Sequence, residues 1–264
     1  MTKVLYETRD QIAYITLNRP EVHNAIDRET DDLLFDAWSR FRDDREARVA
    51  ILTGAGDRSF CAGADLKSHI DPWINAGPEL GRSVLERGFG GGITRGLHHI
   101  KKPIIAALNG WVIGGGIELA LACDIRVAAD TAQFGFFHMR RGMHFADGGI
   151  VRLVNTVGVG IAMELELMGE PIDSQRAKEV HLVNRVVPQA EVMATAEHIA
   201  RTIIRNPRVA VESAKETILE VVGRPIDDQL RIEALYGYST MGDPEIAAKR
   251  TEFLEHRDAD RATS

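Results

Sequence analysis

Alternating apolar and polar positions open the chain: Val4-Leu-Tyr-Glu-Thr8 and Ile12-Ala-Tyr-Ile-Thr-Leu17 flank Arg9-Asp10-Gln11, which predicts a hairpin whose second strand stops before Pro20. Between Arg28 and Arg42 the apolar residues Leu33, Leu34, Phe35, Trp38 and Phe41 recur at helical spacing, and Val49-Ala-Ile-Leu-Thr53 follows as a continuously apolar strand. The alternation of strand and helix continues. Lys102-Pro103-Ile-Ile-Ala-Ala-Leu108 and Ile125-Arg-Val-Ala128 are strand-like and bracket a glycine-containing segment that runs into an apolar helix. From Ala190 onward helical periodicity takes over, with helices predicted over 190–205, 208–222, 226–238 and 244–256. The pattern divides the chain into an α/β core, 1–189, and a helical region, 190–264. Between Lys67 and His99 the pattern is poorest, and Asp71-Pro-Trp-Ile-Asn-Ala-Gly-Pro78 and Gly88-Phe-Gly-Gly-Gly-Ile93 predict loops.

Two segments carry candidate chemistry. In Asn109-Gly-Trp-Val-Ile-Gly-Gly-Gly-Ile-Glu118-Leu-Ala, the glycines 114–116 lead directly into good helix formers, so unpaired backbone N–H groups at a helix start face whatever sits above them. Glu118 stands three positions after Gly115, on the same helical face. The earlier segment, Ser59-Phe-Cys-Ala-Gly-Ala-Asp65-Leu66, completes an oxyanion hole in this reading. Donors for a developing negative charge, with a proton-transfer group one turn away, are what enolate chemistry beside a carbonyl requires. A plainer account is also open: glycines for close backbone packing, and a first-turn carboxylate that favours the helix dipole by about 0.3–1 kcal/mol.

These segments, together with Ile15-Thr-Leu-Asn-Arg-Pro-Glu-Val-His-Asn-Ala25 and Ala177-Lys-Glu-Val-His-Leu-Val-Asn-Arg-Val-Val187, resemble the crotonase (enoyl-CoA hydratase/isomerase) superfamily over nearly the whole chain. The resemblance implies an α/β fold, a spiral of ββα units with C-terminal helices that form trimers, often paired into hexamers. It implies that the N–H groups of Ala64 and Gly115 hold a thioester oxygen and that Glu118 is the first of two hydratase glutamates. Ala62, Asp65, Leu66, Lys67 and Gly114 would bind substrate or coenzyme A, with Lys67 a candidate for its phosphates beside Arg58, Lys101 and Lys102. Phe253 and His256 would approach the adenine end, and Trp73, Ile74 and Phe89 are candidates for the acyl pocket. Coenzyme A would come as part of the substrate, with no tightly bound cofactor and no metal.

The resemblance breaks where hydratases carry their second glutamate, because the chain reads Phe134-Gly-Phe-Phe-His138. Further on, Asp147 occupies a site that is often small in hydratases. A His and an Asp at these places resemble the carbon–carbon hydrolase branch of the superfamily. Enoyl-CoA hydration, with Glu118 and His138 moving protons, is the leading expectation. Hydrolysis of a cyclic β-dicarbonyl by a His138/Asp147 pair is the rival, and isomerisation or a non-catalytic CoA- or RNA-binding role stands behind both. His138 as a core histidine and Asp147 as the N-cap of Asp-Gly-Gly-Ile-Val-Arg-Leu153, a contribution of about 1 kcal/mol, are the structural alternatives. His144 and His138 do not have a local zinc spacing.

Composition narrows the setting. The 264 residues are 44% hydrophobic, enough for a large core, and the net charge of −7 disfavours a general nucleic-acid binder. Met1-Thr-Lys-Val-Leu-Tyr-Glu-Thr has no apolar signal region and no long apolar run follows, so a cytoplasmic protein without a membrane span is expected. The 2 cysteines, Cys61 and Cys123, suit reduced thiols, and Cys61 has no evident base that would make it a nucleophile.

Overall fold

The expected hairpin is present in the computed structural model, which describes residues 2–70, 86–96 and 99–262, the side chains at 69–70 and 256–262 excepted. Strands β1 (Val4–Arg9) and β2 (Ile12–Leu17) pair antiparallel with Arg9 opposite Ile12. The two turn residues both take left-handed φ, 49° at Asp10 and 64° at Gln11, the backbone that matches the twist of a tight hairpin. The following strands are β3 (Val49–Gly54), β4 (Ser59–Cys61), β5 (Ile104–Leu108), β6 (Trp111–Ile113), β7 (Ile125–Ala129), β8 (Gln133–Gly135), β9 (Pro171–Asp173) and β10 (Arg185–Val187). Six of them form a sheet of order β1-β2-β3-β5-β7-β10, parallel except for the opening hairpin. Every residue of β5 is buried, as a central strand covered on both faces requires.

A second sheet, β4-β6-β8-β9, was not foreseen from apolar periodicity. Its strands are 3 residues long, too short for any period to show.

Helix α1 (Arg28–Asp43) begins at Asp27, whose carboxylate accepts the Thr30 N–H at 2.8 Å, and buries Leu34, Trp38 and Phe41 completely. Each such side chain contributes about 1.5–3 kcal/mol of burial free energy. Helix α1 also fixes the glycine-rich segment after residue 86: Trp38 Nε1 donates to Gly90 O at 2.9 Å and Gly91 N–H donates to Asp31 at 2.9 Å. Helices α2 (Gly115–Ala122), α3 (Gly149–Met168) and α4 (Ser174–Glu179) come next. Within α3, Gly158 has φ 79° and ψ 163°, so two helical arms meet there at a break that only glycine accepts without strain.

The four C-terminal helices are α5 (Val192–Ile204), α6 (Arg208–Val221), α7 (Ile226–Ser239) and α8 (Pro244–Ala262). The chain separates into two compact units, residues 1–100 with 104–200, and residues 101–103 with 201–264. The division falls inside α5, whose buried Val192, Ala196, Ile199 and Ala200 belong to the first unit. In the second unit, Ser213 Oγ donates to Tyr236 O at 3.0 Å between α6 and α7, and Lys215 Nζ donates to Lys102 O at 2.9 Å. Among the described residues no helix is long and apolar enough to cross a membrane.

Candidate active site

The two glycine-containing segments meet backbone to backbone. Strand β4 pairs in parallel with β6, which delivers Gly114 into the start of α2. After β4 the chain is pinned by Ala62 N–H to His23 O at 3.0 Å, Ile26 N–H to Gly63 O at 2.8 Å and Asp65 N–H to Ile26 O at 2.9 Å. Gly63 has φ +85°, and a Cβ there would lie 2.8 Å from both Gly115 N and Ile113 O. Only glycine lets the two segments approach so closely. Close packing and site construction are therefore one arrangement here, not competing accounts of these glycines.

The result is a cleft of about 390 Å³. Ala62, Ala64, Leu66, Gly114, Gly115, Glu118, His138 and Asp147 all line it, together with Phe89, Met143 and Phe145. Its size and largely apolar wall suit a small-molecule acyl group. Gly115 is the first residue of α2, where an N–H has no acceptor within the helix.

Glu118 is 6% exposed, and its Oε1 accepts Asp147 N–H at 2.8 Å and Gly149 N–H at 3.3 Å. Burial pushes its carboxyl up to about 7; the negative charge of Asp147 adds to the rise and the backbone donors oppose it. A carboxyl that changes protonation near neutrality is suited to taking and returning a proton.

His138 follows β8 and is buried, its ring 4.0 Å from that of Phe145 between centroids. Its Nε2 lies 3.0 Å from Oε2 of Glu166, on α3. His138 Nδ1 and Glu166 Oε1 are buried with no hydrogen-bond partner among the described residues. Asp147, by contrast, accepts Arg95 Nε at 3.2 Å, and Arg95 Nη2 donates to Ala146 O at 2.9 Å. The His138/Asp147 pair considered from the sequence is thus replaced by His138/Glu166 and Arg95/Asp147. Nor does Asp147 cap α3, because the N-cap is Gly148, with no side-chain capping bond.

Glu166 and Arg95 were missed from sequence. Glu166 did leave a signal: it stands four positions after buried Ala162, in phase with the helix's inward face. Arg95 left none, because it follows a run of glycines without periodicity.

Other expected residues take different positions. The Asp65 carboxylate accepts Lys67 N–H at 3.1 Å and Ser68 N–H at 3.2 Å and pairs with Arg19 at 3.4 Å, so it fastens its own loop. Burial alone would raise its pKa, but these partners outweigh burial and hold it below the ordinary carboxylate value. Lys67 is exposed. Arg58 donates to Pro20 O at 3.1 Å and Lys101 pairs with Glu216 at 2.9 Å. Phe89 reaches the cleft, whereas Trp73 and Ile74 lie outside the described residues. Phe253 is 66% exposed on α8, and the side chain of His256 lies outside those described. Cys61 is fully buried and its thiol is pushed up to about 12 by burial, which leaves it no thiolate to attack with.

The chain is similar to known proteins over most of its length. The sequence is 34% identical to a short-chain-enoyl-CoA hydratase of Clostridium acetobutylicum over 97% of this chain and 96% of that one. It is 36% identical to an (E)-benzylidenesuccinyl-CoA hydratase of Thauera aromatica over 85% of each, and 37% identical to a carnitinyl-CoA dehydratase of Escherichia coli K12 over 88% of this chain and 86% of that one. Among solved structures, an enoyl-CoA hydratase from Mycobacterium marinum superposes with a TM-score of 0.86 at 34% identity, covering 97% of both chains. The fold is that of the crotonases. With the enoyl-CoA hydratase/isomerase family matched over residues 7–262, the chain belongs to that family.

Proposed function

We propose that the protein is an acyl-CoA-processing enoyl-CoA hydratase that adds water reversibly across the double bond of a 2-enoyl-CoA. The observation that carries this reading is Glu118: a buried carboxyl, raised to about 7, in the same cleft as Ala64 and Gly115. The thioester oxygen accepts the N–H groups of Ala64 and Gly115. Ionised Glu118 takes a proton from water as the water oxygen adds at the β-carbon, and the electron pair moves onto the thioester as an enolate. Protonated His138 then gives its proton to the α-carbon. Glu118 is left protonated and His138 neutral, and exchange with solvent restores both. Loss of one oxyanion donor commonly costs about 2.7–4 kcal/mol, so two aligned amides supply a large part of the acceleration.

The reading extends to coenzyme A bound beside Lys67, and to a trimer or paired trimers built through the C-terminal helices. Exposed Ile218, Leu219, Leu230, Leu235 and Tyr238, on α6 and α7, support that assembly. Two free, buried thiols accord with a cytoplasmic setting.

The test is incubation with a panel of enoyl-CoA and cyclic β-keto acyl-CoA thioesters in heavy-oxygen water, read by mass spectrometry. Gain of one water with the carbon skeleton intact is expected. Label in a new carboxylate after ring opening would overturn hydration in favour of carbon–carbon hydrolysis.

A further inference from the structure

We propose that Glu166 is the positioning residue for His138: it holds the proton on Nε2, so that Nδ1 is the atom that exchanges the substrate's α-proton. This rests on the hydratase reading. Glu166 Oε2 stands 3.0 Å from His138 Nε2, both residues are more than nine-tenths buried, and the imidazole has no other hydrogen-bond partner among the described residues. A buried carboxylate needs compensation for lost hydration, and a charge-assisted bond from Nε2–H provides it. In neutral imidazole one nitrogen carries the proton and the other a lone pair. Fixing the proton on Nε2 therefore fixes the lone pair on Nδ1, which is buried and has no partner among the described residues. The Phe145 ring against the imidazole and the tether to Glu166 together limit rotation of the ring.

The proton balance is simple. In dehydration the bond from the α-carbon to hydrogen breaks, its electron pair enters the enolate, and the proton passes to Nδ1. In hydration the same proton travels back. Glu166 keeps its negative charge throughout, stays hydrogen-bonded to Nε2–H, and provides the countercharge while the ring is an imidazolium. A glutamate absent from the second acid/base position is thus recovered through a histidine that leans on a glutamate elsewhere in the chain.

Two measurements on the full-length protein test this. Nitrogen NMR of histidine-labelled protein, assigned with His138→Gln and recorded above the histidine titration range, is expected to show His138 protonated on Nε2. The proton is expected to be shared between both nitrogens in Glu166→Gln. Protonation on Nδ1 in the wild-type protein would overturn the proposal, whatever its activity. With crotonyl-CoA, Glu166→Gln is expected to lower kcat about tenfold to a hundredfold with KM within about twofold, and to add no further loss on a His138→Gln background. Wild-type kcat in Glu166→Gln, or losses that multiply in the double variant, would also overturn it. If His138→Gln alone keeps the full hydration rate, the hydratase role of His138 is what fails, and the nitrogen spectrum still decides what Glu166 does.

Discussion

The two halves of the cleft are built by different means. On the Glu118 side, backbone does the holding: the N–H groups of Asp147 and Gly149 grip the carboxylate, and Gly63 brings the second segment into contact with Gly115. On the His138 side, side chains do it: Glu166 tethers the ring, Phe145 stacks on it, and two polar atoms are left unpartnered. Backbone mounts tolerate no displacement but are indifferent to most side-chain identities. Side-chain mounts can be exchanged, and this is the half where the chain departs from the two-glutamate arrangement its family resemblance implies.

The largest effect that sharpens this contrast is expected from Glu118→Gln, which keeps the two backbone bonds and removes the proton acceptor. Steady-state hydration of crotonyl-CoA is expected to lose about 10²–10⁴ in kcat, and an undiminished rate would remove Glu118 from the mechanism. Gly63→Ala comes next. Its Cβ must displace Gly115 N, so kcat is expected to fall roughly 10²–10³ with the oxyanion geometry, and a normal rate would show that the contact does not set that geometry.

A smaller effect appears in stability against pH. The Glu118 carboxyl keeps its proton to about pH 7 in the folded protein but only to about 4.5 when unfolded. The folded state therefore binds the extra proton between these values, and stability falls as pH rises through that window. Denaturant unfolding is expected to show Glu118→Gln gaining about 3 kcal/mol over the parent between pH 4.5 and pH 8. A difference independent of pH would contradict the buried-carboxyl account. The mildest outcome is expected from Asp147→Asn, since the Asp147 side chain holds Arg95 and its backbone holds Glu118: kcat within about tenfold and a stability loss of roughly 1–3 kcal/mol by thermal unfolding. Severe loss of turnover with the fold intact would restore the carbon–carbon hydrolase reading.

The same contrast explains what was legible in the sequence. Strands of the larger sheet and helix α1 announce themselves by period because each has enough residues on a buried face, as in Ile104–Leu108 or Trp38 with Phe41. Glu118 and the glycines were readable because their spacing along the chain is also their spacing in space. The partner of His138 was not, although Glu166 is in phase with the inward face of its helix, because it lies 28 residues away and no motif spacing links the two. Nor was the partner of Asp147, because Arg95 sits in a segment ordered by tertiary bonds from Trp38 and Asp31. Motif spacing finds groups that are neighbours in sequence, and burial of long-range pairs escapes it.

Helix α3 touches both halves, with Gly149 N–H on Glu118 near its beginning and Glu166 on His138 near its end. Between those anchors lies Gly158, with open space where a Cβ would point and a backbone angle that other residues resist. The helix is a jointed arm: two helical segments meet at one glycine, so the backbone support of Glu118 and the tether of His138 ride on a single element with one break between them.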